Sequence, residues 1–553
     1  MGIRYELTQL LEGAAREAQA RSILPAQALP EVILEHPQNP AFGDYACSLP
    51  MKLARAARMD PMSLGQALAQ LLPSHEAVAR VEVAPPGFIN FTLAAPWLAL
   101  QVEAMLKAGM AYGDLDVGHG ERLQVEFVSI NPTGPLHVGH GRGAVLGDTL
   151  ARALGAAGFQ VETEYYVNDG GNQMEAFYTS LYVRYLQALG QKEAMPDSGY
   201  MGSYMMELAR ELLAERGDAL LALPREEAIA QAGRWGLERV LGWIREDLER
   251  LGVSFDSWFS EHSLYREGQY ERAMGILSQG GFTAEREGAL WFISTALGED
   301  KDNVLVRTSG IPTYFASDIA YHYNKFLERG FQRVIDIWGA DHQGHVPRMK
   351  AAVAALGVAP ERLQIILNQM VALRRGEEVL RVSKRTGELI TLGELMDEVG
   401  ADACRFFYLA RSADAQMDFD LELAKRQSAE NPVYYIQYAH ARIASILLLA
   451  QGRSIDYASG DVSLLTTEPE LALLRKIIQL PEVVETVART LEPHHLAYYA
   501  QELAMVFHLF YRDCRVVTQD VALTRARLKL VEAARLALAK TLYLMGMSAP
   551  DKM

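Results

Sequence analysis

Leu123-Gln124-Val125-Glu126-Phe127-Val128-Ser129-Ile130-Asn131-Pro132-Thr133-Gly134-Pro135-Leu136-His137-Val138-Gly139-His140-Gly141 is the stretch from which the rest of the chain is read. Its first six residues have the β-branched and aromatic content of a buried strand. Beyond the glycines, Val145, Leu146, Thr149, Leu150, Ala153 and Leu154 recur at three- and four-residue steps and predict a helix. Gly155 and Gly158 end that helix, and Val161 to Val167 reads as a second strand. The two histidines thus fall in the strand-to-helix turn of a βαβ unit. In an open α/β sheet, that position at a strand's carboxyl end is where ligands bind.

The turn has the chemistry of an anion site. A helix N-terminus presents unpaired N–H groups and the positive end of its dipole. Gly134, Gly139, Gly141 and Gly143 lack a Cβ, which predicts close approach of a nucleotide to the backbone. His137 and His140 add donors able to follow charge onto an α-phosphate under attack. Neither the P-loop pattern nor a proper dinucleotide fingerprint is present here. One isolated histidine would read as a satisfied buried residue; two, three apart in a Gly/Pro-bracketed turn, read as chemistry.

Here the chain resembles a known family. His137-Val138-Gly139-His140 resembles the HIGH signature of class I aminoacyl-tRNA synthetases, and Arg381-Val382-Ser383-Lys384-Arg385 resembles their KMSKS signature. The surrounding phrases, from Asn39-Pro40-Ala41-Phe42-Gly43-Asp44-Tyr45 to Ser548-Ala549-Pro550-Asp551-Lys552-Met553, are similar to arginyl-tRNA synthetases over essentially the whole chain. The resemblance implies a multidomain α/β architecture. Residues 1–110 form a small α+β N-terminal domain, and 115–400 a Rossmann-like parallel-sheet catalytic domain with a helical insertion at about 174–300. Residues 401–430 connect it to an all-α anticodon-binding bundle over 431–553.

The implied reaction is ATP-dependent activation of L-arginine to arginyl-adenylate, then transfer to the terminal adenosine of tRNA(Arg). Magnesium is expected with the triphosphate, held mainly by phosphate oxygens and water. The resemblance makes His137, His140 and Lys384 catalytic, and assigns ATP to the turn from Asn131 to Gly141 together with Ser383 and Lys384. It builds the arginine pocket from Glu126, Asn131, His137, Tyr314 and Asp318, with Asp341 and Gln343 as further lining. Phe88 and Asn90 match contacts to the outer corner of tRNA, and Tyr435, Tyr438 and Arg442 match contacts to the anticodon loop. Rings and a guanidinium suit stacked bases, although aromatics at this spacing are also usual in a core. The chain departs from KMSKS at Arg381, Val382 and Arg385, which puts any separate duty of the first lysine in doubt.

Composition sets the outer bounds. The 553 residues are 50% hydrophobic and 22% charged, as in ordinary soluble domains. No apolar run of membrane length occurs, and Met1-Gly2-Ile3-Arg4-Tyr5-Glu6 begins no secretory signal. Cys47, Cys404 and Cys514 are isolated, which predicts a reducing cytoplasm, no disulfide framework and no protein-bound zinc. A monomer follows from the resemblance alone. The net charge of −16 is unfavourable for RNA, but Arg525, Arg527, Lys529, Arg535 and Lys540 crowd one helical segment near the end. That run reads either as an RNA-facing strip or as a solvated helix face.

The remaining signals are weaker. Asn168 to Gln173 is a polar turn after a strand, and Gly339-Ala340-Asp341-His342-Gln343-Gly344-His345 follows another, so it suits a ligand crevice better than zinc. Leu7, Leu10 and Leu11 start a helix, residues 51–72 give two more broken at Asp60-Pro61, and Arg80–Val83 and Phe88–Leu93 read as strands. Phe177–Leu189 and Ala228–Leu251 read as insertion helices and Ala289–Ile293 as a strand. A synthetase for glutamate or cysteine is the rival among enzymes. An inactive RNA-holding paralogue is the rival among binding proteins, and intact His137, His140 and Lys384 speak against it.

Overall fold

The strand that begins the quoted stretch is paired on both sides. In the computed structural model, which describes residues 2–376, 378–380 and 390–553, β1 (Arg122–Glu126) is followed by β2 (Gln160–Val167), β3 (Ser257–Ser260), β4 (Arg333–Gly339) and β5 (Leu363–Asn368) in one sheet. All four ladders are parallel, and the strands lie in the order 3-2-1-4-5. The order reverses between β1 and β4, which makes the carboxyl ends of those two strands the ligand crevice of a doubly wound sheet. Leu123 and Val125 have no accessible surface, as a central strand covered on both faces requires.

Helix α1 (Val138–Ala156) carries the chain from β1 to β2. It lies so close to the strand that a Cβ on Gly147 would fall 2.1 Å from the Phe127 ring. Its far end stops before Gly158, whose φ of +92° suits glycine. Between β2 and β3 run α2 (Gly171–Ala188), α3 (Ser203–Arg216) and α4 (Arg225–Arg250). The stretch read as an insertion, 174–300, therefore contributes a strand of the main sheet, β3. Four residues are too few to show a strand's period, and the local sequence could not mark it. Beyond β3, three short antiparallel strands (Thr283–Arg286, Ala289–Phe292, Asn303–Val306) form a separate small sheet. Helix α5 (Tyr314–Tyr323) precedes β4, and α6 (Val346–Ala355) precedes β5.

The N-terminal region is an antiparallel four-stranded sheet backed by helices, with Phe88–Leu93 as an inner strand. Asp60 caps the second of its paired helices by accepting from Ser63 N at 2.9 Å, which explains the break at Asp60-Pro61. The following helix, Ala95–Ala108, packs on α9 (Glu468–Ile477) and α11 (Val521–Leu544) of the C-terminal bundle. The segment 401–430 supplies helix α7 (Ala401–Leu409) and a strand, Met417–Asp420, that pairs in parallel with Val371–Arg375.

The bundle also includes α8 (Pro432–Gly452) and α10 (His494–Asp513). Most of the basic run of α11 turns inward. Arg527, Lys529 and Lys540 are buried and bonded to Glu470 at 2.7 Å, Glu103 at 2.5 Å and Asp114 at 2.5 Å, while Arg535 pairs with Glu532 at 2.8 Å. Neither the RNA-facing strip nor the solvated helix face left open for this run holds for Arg527, Lys529 and Lys540. Arg527, Lys529 and Lys540 fasten α11 to its neighbours, because a buried charge in a helix core requires a partner. Arg405 of α7 is the other buried clamp: it donates to Leu251 O at 2.9 Å, to Met545 O at 2.5 Å and to Asp148 of α1. Replacing Arg405 by Met should lower stability by about 3 kcal/mol and depress the melting temperature, since two carbonyls and a carboxylate lose their donor. An unchanged melting curve would show that the clamp contributes nothing.

Candidate active site

The turn after β1 is built from a strained backbone. Val128 has φ of +68° and Ser129 of +40°, a region that a β-branched side chain rarely enters. The bend swings the chain away from the sheet into Asn131–Leu136 and then into α1. His137 is the residue that caps α1: its Nδ1 accepts from Gly139 N at 3.1 Å. His140 reaches back in the same way, its Nδ1 accepting from His137 N at 3.2 Å. The two imidazoles stack with centroids 3.4 Å apart. Because both Nδ1 atoms are acceptors, the neutral rings carry their protons on Nε2. The capping role fixes both rings in position and in tautomer.

Gly134 and Gly141 bring protein elements together. A Cβ on Gly141 would lie 2.8 Å from Leu392 and 2.9 Å from the Tyr408 ring, and one on Gly134 would lie 3.0 Å from Tyr204. Tyr408 also donates to Val138 O at 2.6 Å, and Leu392 N to Leu136 O at 2.8 Å. His137 forms a β-bridge with Thr391, so the residue pair just beyond Ile390 lies against the histidine turn. Ser383 and Lys384, with Arg381, Val382 and Arg385, lie outside the described residues. Arg142, one turn into α1, has no accessible surface and donates to the carbonyls of Gln369, Ser412 and Ala415 at 2.7 to 3.1 Å. From Phe127 to Gly147 there is no Asp or Glu. The donor set of the turn therefore fits an anion, and a Mg2+ ion there would be held by phosphate oxygens and water.

At the reversal point of the sheet lies a cavity of about 160 Å3, lined by Glu126, Ser129, Tyr166, Asn168, Asp318, Tyr321, His322, Trp338, His342 and His345. Glu126 from the end of β1 and Asp318 from α5 thus share one cavity, although 192 positions separate them along the chain. Asp318 is accessible only in part and is enclosed by protein; burial pushes its carboxyl up to about 7, with Glu126 and Glu261 adding to the rise against His322 and Arg348. Burial likewise raises Glu126, opposed by Lys325, whose Nζ donates to Glu126 Oε2 at 2.5 Å.

Other expected pocket residues stand apart from that wall. Tyr314, one turn before Asp318, is 47% exposed and lines a neighbouring cavity of about 280 Å3 with Arg307, Thr313, His345 and Arg348. Asn131 donates to Gln173 in the first turn of α2 and, like His137, is not part of the lining. Asp341 and Gln343 are exposed; from their turn it is His342 and His345 that line the cavity. Ser129, Tyr166, Asn168 and His322 were not singled out in the sequence. Only the positions of Asn168 and the 339–345 turn, after strands, pointed toward them.

In the bundle, Tyr435 and Tyr438 pack on His508 at 4.6 and 5.9 Å, and Arg442 stacks on Tyr438 at 4.6 Å and on Tyr511 at 4.7 Å. All three expected residues are partly accessible, and α10 adds His508 and Tyr511 to them. In the N-terminal sheet, Phe88 is half-buried, whereas Asn90 is 5% exposed and its Oδ1 has no hydrogen-bond partner among the described residues.

A doubly wound parallel sheet whose first helix is capped by the histidines of a His-Val-Gly-His run has the form of a class I aminoacyl-tRNA synthetase catalytic domain. Comparisons with known proteins narrow the class. Residues 101–408 match the family model for tRNA synthetases class I (R), catalytic domain; 5–93 match the arginyl tRNA synthetase N terminal domain, and 436–553 the DALR anticodon binding domain. The chain belongs to the arginyl-tRNA synthetase family. It is 58% identical over 547 residues to the arginine–tRNA ligase of Dehalococcoides mccartyi, covering 99% of this chain and 98% of that one. The arginine–tRNA ligase of Heliobacterium modesticaldum is 50% identical, covering 100% of this chain and 98% of that one. Among solved structures, a putative arginyl-tRNA synthetase from Campylobacter jejuni superposes with a TM-score of 0.77 at 33% identity, covering 83% of this chain and all of that one. The arginyl-tRNA synthetase of Thermus thermophilus has the same fold, with a TM-score of 0.80 at 22% identity over the whole of both chains. Among the described residues no helix is long and apolar enough to cross a membrane.

Proposed function

We propose that this chain ligates L-arginine to tRNA(Arg) in two steps at the reversal point of its sheet. The observation that supports this most directly is the meeting of Glu126 and Asp318 in one cavity beside the histidine turn. A guanidinium is a planar fork of donors, best read by carboxylates. With the side chain held there, the substrate carboxylate attacks the α-phosphorus of ATP in line and pyrophosphate leaves. His137 and His140, oriented through Nδ1, donate from Nε2 to phosphate oxygens as charge builds on them. Lys384 is assigned to the departing pyrophosphate, and ATP brings Mg2+ with it. A ribose hydroxyl of the terminal adenosine then attacks the adenylate's carbonyl carbon and takes the arginyl group, and AMP leaves. The chain acts as a monomer in the cytoplasm in this reading. ATP–pyrophosphate exchange with arginine, glutamate or cysteine, with and without tRNA(Arg), tests the assignment: exchange driven by glutamate or cysteine overturns it, as does absence of arginine-dependent exchange in both conditions.

The cluster on α8 and α10 is assigned to unpaired bases of the anticodon loop, and Phe88 with Asn90 to the outer corner of the tRNA. Stacking is worth about 1–3 kcal/mol per base, so Tyr435→Ala with Arg442→Ala should raise the tRNA KM tens-fold. Melting curves run alongside separate this from loss of packing around His508. A folded double variant with undiminished tRNA affinity removes the cluster from the interface.

A further inference from the structure

Lys325 has no accessible surface, and an ammonium is costly to bury. It lies in a turn of π-helix, Asn324–Glu328, that follows α5 directly. Such turns are rare and frequently accompany functional sites. Its Nζ donates to Glu126 Oε2 at 2.5 Å and to Asp336 Oδ1 at 2.8 Å, and sits 4.1 Å above the Tyr321 ring. The other oxygen of Asp336 is 3.0 Å from His322 Nε2, and His322 Nδ1 is 2.7 Å from the carbonyl of Asp318. Both nitrogens of His322 therefore face oxygen atoms, the Asp318 carbonyl and the Asp336 carboxylate. Three carboxylates, Glu126, Asp318 and Asp336, are thus gathered around one buried ammonium, Lys325, and one imidazole, His322. On the far side of Asp318, Glu261 and Arg348 carry opposite charges. The carboxylates here outnumber the buried ammonium, and the cavity is where a further cation fits.

We propose that Lys325 and His322, tied together by Asp336, are positioning residues for the cationic end of the substrate. Lys325 occupies one oxygen of Glu126 and holds that carboxylate in the cavity wall. His322 fixes the turn of α5 that presents Asp318. The assembly then accepts one guanidinium and disfavours a neutral side chain. The proposal rests on the reading of this cavity as the arginine pocket.

Lys325→Gln strands two buried carboxylates and is expected to lower the melting temperature. It is therefore compared with Lys325→Gln/Asp336→Asn, which removes the cation and one carboxylate together. The double variant should melt close to wild type while its arginine KM in ATP–pyrophosphate exchange stays at least about thirtyfold raised and its ATP KM is nearly unchanged. A double variant with wild-type arginine KM would show that Lys325 is structural only, and overturn the proposal. Equal rises in the arginine and ATP KM would overturn it too, as general damage to the crevice. A wild-type chain without arginine-dependent exchange sinks the reading of the site itself, so the two failures are distinguishable.

Discussion

Asp318→Asn is expected to raise the arginine KM by roughly thirtyfold to several thousandfold, with little change in the ATP KM. The variant keeps the shape of the side chain and removes the charge that faces a buried guanidinium, a loss of about 2–5 kcal/mol. Its acceptor oxygen remains, but its new NH2 group points donors at donors. The same carboxyl makes arginine binding depend on pH. Burial raises it to about 7 before the substrate arrives, and the substrate needs it ionised. Above that pH the carboxylate is ready. Below it each binding event must release a proton, so the arginine KM should climb about tenfold per unit of acidification. His345, in the same cavity, is held below the usual histidine range by burial and by Arg348, so it stays neutral over most of this interval. Arginine titrations at pH 6, 7 and 8 should show the dependence in the wild type and its loss in Asp318→Asn. An unaltered arginine KM in the variant would remove Asp318 from the pocket.

The second large effect belongs to the histidines, and the capping geometry decides which substitutions are informative. Alanine at position 140 would remove both the acceptor for His137 N and the Nε2 donor, mixing a lost cap of about 1 kcal/mol with lost catalysis. Asparagine can place an oxygen near the old Nδ1 and nothing at Nε2; glutamine can place an amide donor near the old Nε2. His140→Asn should therefore melt like wild type yet form adenylate about a hundredfold more slowly, the cost of one preorganised donor of roughly 3 kcal/mol. His140→Gln should recover part of the rate at lower stability. Single-turnover adenylate formation, read beside thermal melting, separates the two. If His140→Asn kept its full rate, the histidine would be a cap and nothing more.

Much of this was legible in the residues. The period of Val145 to Leu154 and the Gly/Pro-rich turn before it placed a strand, a turn and a helix correctly, because both signals are local: backbone geometry repeats every two or 3.6 residues. The paired signatures around His137 and Lys384 carried the family, and Tyr314 with Asp318 carried the expectation of an acidic pocket. Where the sequence reading failed, the reason is distance. The basic run of α11 looks solvent-facing in isolation, and only the approach of Glu103, Asp114 and Glu470 from three other segments turns it inward. That Leu392 and Tyr408 fill the space beside Gly141 is likewise invisible in the glycine pattern itself. Lys325 and Glu126 are 199 residues apart, and no local pattern marks a pair that meets only because β1 and β4 are adjacent in the sheet. Element type, helix caps and the family were thus set by short-range chemistry written in the chain. Which buried charges answer one another, and so where a further cation fits, was set by strand order, which only the folded structure reveals.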